Sequence, residues 1–543
     1  MGDGLGLGDA YSATIERIKA QGGGNWRLAM EALTWIIHAE RPLMVDELCH
    51  ALAVELGSTN FNTDNVPSMS TLICCCQGLI TVDKEASTVR LIHFTLKEYL
   101  STHPDISSRP HSAMAEICLT YLNSKEVKAL STTPSSDILD TPFLGYCSLY
   151  WGIHARRELS DYARTLALLL LQEYNGHISA KSLLEQTGYG KLGELGSGFR
   201  FSGLHCASFF GIVGVVATLI EMGSYDINGE DVWGQTPLAW AATNGHVEVV
   251  KMLLRLAEVT PDKPNRYGLT PLLCAAAAGY EGVVKTLLQQ DRVNPDKSDY
   301  LGNSPLLVAS LNGHEEIVKI LLERDKVNPD KPDYFGNRPL MVAAQNGHEE
   351  IVKILLERDE VNPDRPNNSG RTPLQNAARD GYGEVVKILL ARDEVNPDKL
   401  DDHGSTPLSL AAEYGHEDVV KILLAREEVN PENLDNDGET PLACAAYGGH
   451  EGVVKILLEQ EGVSPDRSNH AGQTPLLIAA QEGYEEVVKI LLEQEEVNPN
   501  KVDNDGQTPL MHAAKNGHQR VIELLQPCEA GAHGTLLGLG SPW

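Results

Sequence analysis

Positive charge is scarce in this chain: 44 Lys and Arg stand against 75 Asp and Glu, a formal net charge of −31. That balance argues against binding that works by neutralising nucleic-acid phosphates or an anionic lipid surface, so neither nucleic acid nor a membrane is an expected partner. Long apolar runs are missing as well. The strongest, residues 166–171, is far too short to cross a bilayer. The opening MGDGLGLGDA has no basic stretch before an apolar one, so no secretory leader is expected. The expected compartment is the cytoplasm, with the nucleus left open. Ten cysteines are present, three of them in a row (Cys74, Cys75, Cys76), yet there is no CxxC pair and no recurring Cys/His spacing. Reduced thiols filling small core positions are expected, rather than a disulfide framework or a metal site.

Motifs for chemistry are missing too. No G-x-x-x-x-G-K-S/T occurs, so no loop cradles a triphosphate. Gly188, Gly190 and Gly193 spell a G-x-G-x-x-G with no strand before it and no helix after it. G-x-S-x-G and H-E-x-x-H are absent. Residues 433–438 imitate the start of a calcium loop, but its twelfth position is Cys444 instead of a bidentate Glu. No catalytic residue, cofactor or metal is expected, and the chain is read as a non-enzyme.

What the sequence does have is a repeat, clearest over residues 304–331, SPLLVASLNGHEEIVKILLERDKVNPDK. The leucine after Thr-Pro, or after the pair in its place, falls at 204, 238, 272, 306, 340, 374, 408, 442, 476 and 510, always 34 apart. A fixed period of this size marks a solenoid, whose units bury their apolar faces against one another. Within one unit, Thr406 before Pro407 is an N-cap followed by proline at the first helical position. Leu408, Ala411 and Ala412 form a small apolar face, and Gly415-His416 ends the helix. A second helix over 417–426 carries Val419, Val420, Leu423 and Leu424 on one side. Pro329 stops the corresponding helix in its unit, and residues 333–336 supply the turn of a hairpin.

The pattern G-x-T-P-L-x-x-A-A-x-x-G-H-x-x-V-V-K-x-L-L over 404–424 resembles the ankyrin repeat, here ten units over 200–526. A tetratricopeptide array shares the period but wants Trp, Gly-Tyr and Phe anchors that do not recur. The usual ankyrin period is 33; the extra length is expected in the hairpin arm. The histidine that relatives carry after T-P-L stands only at His205, and Arg338 replaces one N-cap threonine.

Ahead of the repeats, residues 1–24 read as a flexible or helical lead-in. Residues 25–105 follow the winged-helix order of three helices, two short strands and a closing helix. The stretches EALTWIIHAERPLMVDELCHALAVE and VRLIHFTLKEYL resemble the winged region downstream of NACHT in fungal NACHT–ankyrin proteins, relatives of NOD-like receptors. That resemblance implies that His93 faces a nucleotide. The simpler expectation is that His93 finishes its strand against Tyr99. The third helix, starting at Ser70, has no Arg or Lys for DNA. Residues 106–185 read as a helical spacer, 186–199 as a glycine-rich linker and 527–543 as a disordered tail. The first repeat, with Phe209, Phe210, Ile212 and Val213, is too apolar for a free end and should pack on the spacer.

The resemblance to ankyrins places partners at the hairpin tips. Those tips carry Trp233, Tyr267, Tyr300, Tyr334 and Phe335 in the second to fifth units, then Asn368, Ser369, Asp402, His403, Asn436, Asp437, Glu439 and Asn504. With aromatics at only 6% of the chain, this run exceeds background. The rings either anchor a partner or stiffen the arm by packing on neighbouring hairpins. The acidic later tips are expected to favour a basic segment. The sequence thus predicts a mainly α fold, a solenoid of helix-turn-helix and hairpin units behind a winged-helix and helical domain, acting as a protein-binding scaffold. The alternative is the sensor part of a NACHT-type nucleotide-switched receptor.

Overall fold

The computed structural model describes residues 7–103, 108–130, 141–188 and 200–534. The chain forms two compact units, Met1–Val293 and Asn294–Trp543.

The first unit opens with α1 (Leu7–Lys19), α2 (Asn25–His38), α3 (Val45–Ala53), α4 (Met69–Cys75), the strands β1 (Ile80–Asp83) and β2 (Thr88–Leu91), and α5 (Phe94–Ser101). Helix α2 turns Ala29, Ala32, Leu33 and Ile37 inward, as their spacing requires. Glu47 fixes the start of α3: its carboxylate accepts from the Met44 backbone N–H at 2.9 Å and pairs with Arg41 at 2.6 Å. β1 and β2 pair antiparallel, Ile80 opposite Leu91. Asp83 Oδ1 closes the wing by accepting from the backbone N–H groups of Glu85 and Ala86. His93 does not pack on Tyr99. Its Nδ1 accepts from Thr95 N–H to cap α5, and its ring stacks on Phe94 at 4.5 Å. Tyr99 turns instead to Tyr11 of α1, with ring centroids 5.6 Å apart.

Five helices follow: α6 (Pro110–Leu122), α7 (Lys125–Lys128), α8 (Leu144–Arg157), α9 (Asp161–Gln172) and α10 (Ile178–Gln186). Helix α8 escapes a periodicity reading because it is buried nearly all round, from Tyr146 and Cys147 to Trp151 and His154, and so shows no one-sided stripe. Aromatic rings concentrate here. Trp35 meets Phe143 and Tyr146 edge-on at 5.5 and 5.8 Å, and Trp151 meets Phe210 of the first repeat at 5.2 Å. The repeat lies so close that a Cβ on Gly203 would stand 2.4 Å from the Leu171 carbonyl oxygen. The apolar first repeat does seat on the helical region. Most of the expected glycine linker, including Gly190 and Gly193, lies outside the described residues.

Three helix pairs complete this unit: Gly203–Phe210 with Val213–Glu221, Pro237–Thr243 with Val247–Leu254, and Pro271–Ala278 with Glu281–Leu288. The second unit holds seven more, from Pro305–Leu311 with Glu315–Leu322 to Pro509–Asn516 with Gln519–Gly534. Thr or Ser caps the first helix of each pair except at Arg338, which makes no cap hydrogen bond, and Pro follows the cap in every pair but the first, where Gly203 follows Ser202. The last helix runs on through Pro527 to Gly534. Residues 527–534, expected to be part of a disordered tail, are therefore helical, and 535–543 lie outside the described residues. No described helix is long and apolar enough to cross a membrane.

Candidate functional site

Each hairpin tip is built by an Asp or Asn that bends the chain onto its own carboxyl or amide oxygen. Asp333 Oδ1 accepts from Phe335 N–H at 2.8 Å and Asn337 N–H at 2.7 Å, while one backbone bond, Asp333 N–H to Asn337 O, closes the turn. The arms are therefore tight turns with too few bonds to count as strands. Backbone bonds then tie tip to tip: Tyr334 N–H to Leu301 O at 2.7 Å, Asn368 to Phe335, Asp402 to Ser369, Asn436 to His403 and His470 to Asp437. That approach requires glycine. Gly404 has φ 79°, and a Cβ there would lie 2.7 Å from the Asn436 nitrogen.

Two further ladders, neither foreseen, join successive units. The histidine after the helix-ending glycine reaches back one repeat: His416 Nε2 lies 2.8 Å from Arg379 O, and His450 Nε2 lies 2.8 Å from Glu413 O. Each ring covers the preceding unit's glycine, so a Cβ on Gly415 would stand 2.4 Å from His450. The Pro-Asp loop carries the second ladder. Lys331 pairs with Asp296 at 3.2 Å, Arg365 with Asp330 at 3.1 Å, Lys399 with Asp364 at 2.8 Å and Lys501 with Asp466 at 3.3 Å. At Asn433 the cation is missing, and its amide donates to Asp398 instead. The sequence signal for both ladders was the repetition of His and Lys themselves. The hydrogen bonds expected of the missing T-P-L histidine survive in a substitute. Gln375 Nε2 donates to Lys399 O and Ser405 O, just as His205 Nε2 bonds Gly229 O and Gln235 O.

The family model for ankyrin repeats (three copies) matches residues 168–263, 255–333, 325–401, 393–469 and 461–535. The chain belongs to the ankyrin-repeat family. A second model, the winged helix domain of GPI inositol-deacylase, matches residues 16–110. No curated protein matches the chain.

On the ankyrin tips, the aromatic positions stand out into solvent: Tyr267 is 63% exposed, Tyr300 71%, Tyr334 75% and Phe335 57%. Tyr334 and Phe335 meet each other edge-on at 5.8 Å. Trp233 is half-buried. Asp402, His403 and Asp437 are exposed, and Glu439 is half-buried.

Further along the array, Ser409, Glu413, Asp435, Asp437, Glu439, Cys444, Tyr447, Asn469 and His470 are among the residues that line a cavity of about 610 Å³. The residues that imitate a calcium loop do converge here: ligand atoms of Asp435, Glu439 and Cys444 lie within 4.8 Å of one another. Burial raises the Glu439 carboxyl above its ordinary range and its acidic neighbours add to the effect, while an Asn469 hydrogen bond opposes them. Glu413 is raised by burial and by Asp435, against Arg371. Burial, reinforced by the same carboxylates, keeps the Cys444 thiol protonated.

A second cluster, Glu40, His111 and His154, also draws its ligand atoms within 4.8 Å. Its groups already have partners: Arg157 pairs with both oxygens of Glu40, and His154 bonds Tyr146 Oη at 2.9 Å and His111 Nδ1 at 2.8 Å. Burial, with His111 and Arg157 adding, pushes His154 down to about 3. Such a network is a closed structural one.

Proposed function

We propose that the chain is a non-catalytic recognition scaffold of the cytoplasm, holding a protein partner on the ankyrin tips and the inner face they border. The observation that carries this reading is the exposure of Tyr300, Tyr334 and Phe335 on turns that backbone bonds tie to one another. Rings held in place before binding lose little freedom on contact, and exposed aromatics supply most of the energy of typical interfaces. Asp402, His403, Asp437 and Glu439 extend the surface toward a basic segment, with Trp233 and Tyr267 as further contacts. Ten free thiols suit a reducing compartment. The test is a pull-down with the full chain, set against Tyr300→Ala, Tyr334→Ala and Phe335→Ala combined. Capture should fall by at least ten-fold while the thermal melt stays within a few degrees. A collapsed melt would assign the rings to packing instead.

A second reading rests on the winged region. There Phe94 is 72% exposed beside a cavity of about 390 Å³ lined by Glu40, Arg41, His93 and Lys97. An apolar ring left out at such a place suits docking to another domain. The chain would then be the sensor part of a NACHT-type receptor, in which a separate domain binds the nucleotide. A phosphate-loop motif encoded upstream of Met1 would favour this reading, and its absence from the gene would remove it.

A further inference from the structure

We infer that the cavity between the seventh and eighth ankyrin units is a receptor for an arginine side chain of the partner, an inference that rests on the recognition reading above. The argument comes from the array's own repetition. Every hairpin begins with Asp or Asn at one position, and each of the other aspartates there has its Oδ2 met by a donor of this chain. Trp240 Nε1 serves Asp231 at 2.9 Å, Asn303 serves Asp299 at 2.9 Å and Asn337 serves Asp333 at 3.0 Å. Arg371 serves Asp401 at 3.2 Å, and His512 serves Asp503 at 2.8 Å.

At Asp435 the pattern breaks. Its Oδ1 accepts from the Asp437 and Glu439 backbone N–H groups as usual. Its Oδ2 has no donor, because the position held by Asn303 and Asn337 elsewhere is Glu439, a second carboxylate. Where Trp240 or His512 would reach in, the residue is Cys444. It is 7% exposed and lines the cavity; its backbone N–H bonds Thr440 O within the helix, while its thiol meets no hydrogen-bonding group of another residue. Glu413 adds a third carboxylate; the charge of Arg371 reaches it, but Arg371 forms its ion pair with Asp401, and the counterpart of Glu413 one unit earlier is Arg379.

The donors missing here are those a guanidinium brings. Asn469 Nδ2 donates to Glu439 Oε1 at 3.1 Å, and five N–H groups in a planar fork can serve Asp435 Oδ2, the other oxygen of Glu439 and Glu413 together. The exposed ring of Tyr447 lines the same cavity and offers a face for the cation. A volume of about 610 Å³ lies in the size class of pockets for whole side chains and small ligands, roughly 300–1,000 Å³, and is far larger than a bare ion needs.

The test uses the full chain and a fluorescein-labelled peptide of alternating Gly and Ser with two arginines, set against the same peptide with neutral citrulline. Anisotropy at low salt should show the arginine peptide binding at least ten-fold tighter. Glu413→Gln with Glu439→Gln should abolish that advantage, whereas Glu459→Gln with Glu493→Gln, an equal charge change on the outer helices, should preserve it. The cavity variant removes like-charge repulsion, so its melting temperature should hold or rise. Equal binding of the citrulline peptide would overturn the inference, as would equal loss in the two double variants or a lowered melt. Stoichiometric Mn²⁺ or Zn²⁺ uptake abolished by Glu439→Gln would instead make this a metal site. If a selected partner is still captured through the aromatic tips while arginine selectivity is absent, only this inference fails. Loss of capture on the tip variant bears on the recognition reading alone.

Discussion

Acid should unfold the unit Met1–Val293 first, and the size of the effect can be worked from three buried histidines. Burial pushes His154 down to about 3, and His177 and His205 to about 4, against an ordinary value of 6.5. The folded chain keeps all three neutral while the unfolded chain protonates them below 6.5, so stability is lost as pH falls from 6.5 toward 4. At pH 5 each costs about 2 kcal/mol, roughly 6 kcal/mol together. Asp231 works the other way. Burial raises it to about 6, so it takes up a proton on folding between about 6 and 3.8 and restores about 1 kcal/mol at pH 5. A net loss of about 5 kcal/mol is comparable to the whole stability of many domains. In the other unit, burial raises Asp296, Asp330 and Asp398, so mild acidification favours that fold. Tryptophan fluorescence separates the two units: Trp26, Trp35, Trp151, Trp233 and Trp240 lie in the first, and only Trp543 falls beyond it. Between pH 7 and pH 5 the urea midpoint seen by fluorescence should drop by about 2 M, given slopes of about 2–3 kcal/mol/M. Circular dichroism should retain a later transition. An unchanged fluorescence midpoint, or coincident transitions by both probes at pH 5, would refute the argument.

Lys399→Ala strips Asp364 of its partner while the other carboxylate oxygen is already buried without one, and should cost about 1–2 kcal/mol in urea unfolding. Asn433→Lys supplies the missing cation of that ladder opposite Asp398 and should raise the midpoint slightly. Gly415→Ala combines a backbone at φ 79° with a Cβ 2.4 Å from the His450 ring, and should cost about 1–3 kcal/mol by thermal melt. The uncapped helix at Arg338 forgoes about 1 kcal/mol, so hydrogen exchange should be fastest near Pro339–Gln345; uniform protection from Leu306 to Leu374 would count against this.

The 34-residue period, the Thr-Pro helix starts and the glycine stops were all legible in the sequence. Each is a local matter, decided by a cap, a missing N–H or a positive φ within a few residues of the signal. The exposed aromatic tips were legible for the same reason, because a turn has little chain around it to bury a ring. Helix α8 was not, since a helix covered on all sides has no stripe. The role of His93 as a cap was hidden as well, because it stands between the second strand and α5 and its ring nitrogen accepts from Thr95 N–H at the start of that helix. The acids at 435–439 looked like ordinary turn residues. That Glu413, from the preceding repeat, meets Asp435, Glu439 and Cys444 at one cavity becomes visible only when repeats stack. Local chemistry sets the elements, whereas the pairing of charges across repeats, Arg371 with Asp401 30 positions away and Lys399 with Asp364 35 positions away, is chosen only by tertiary packing.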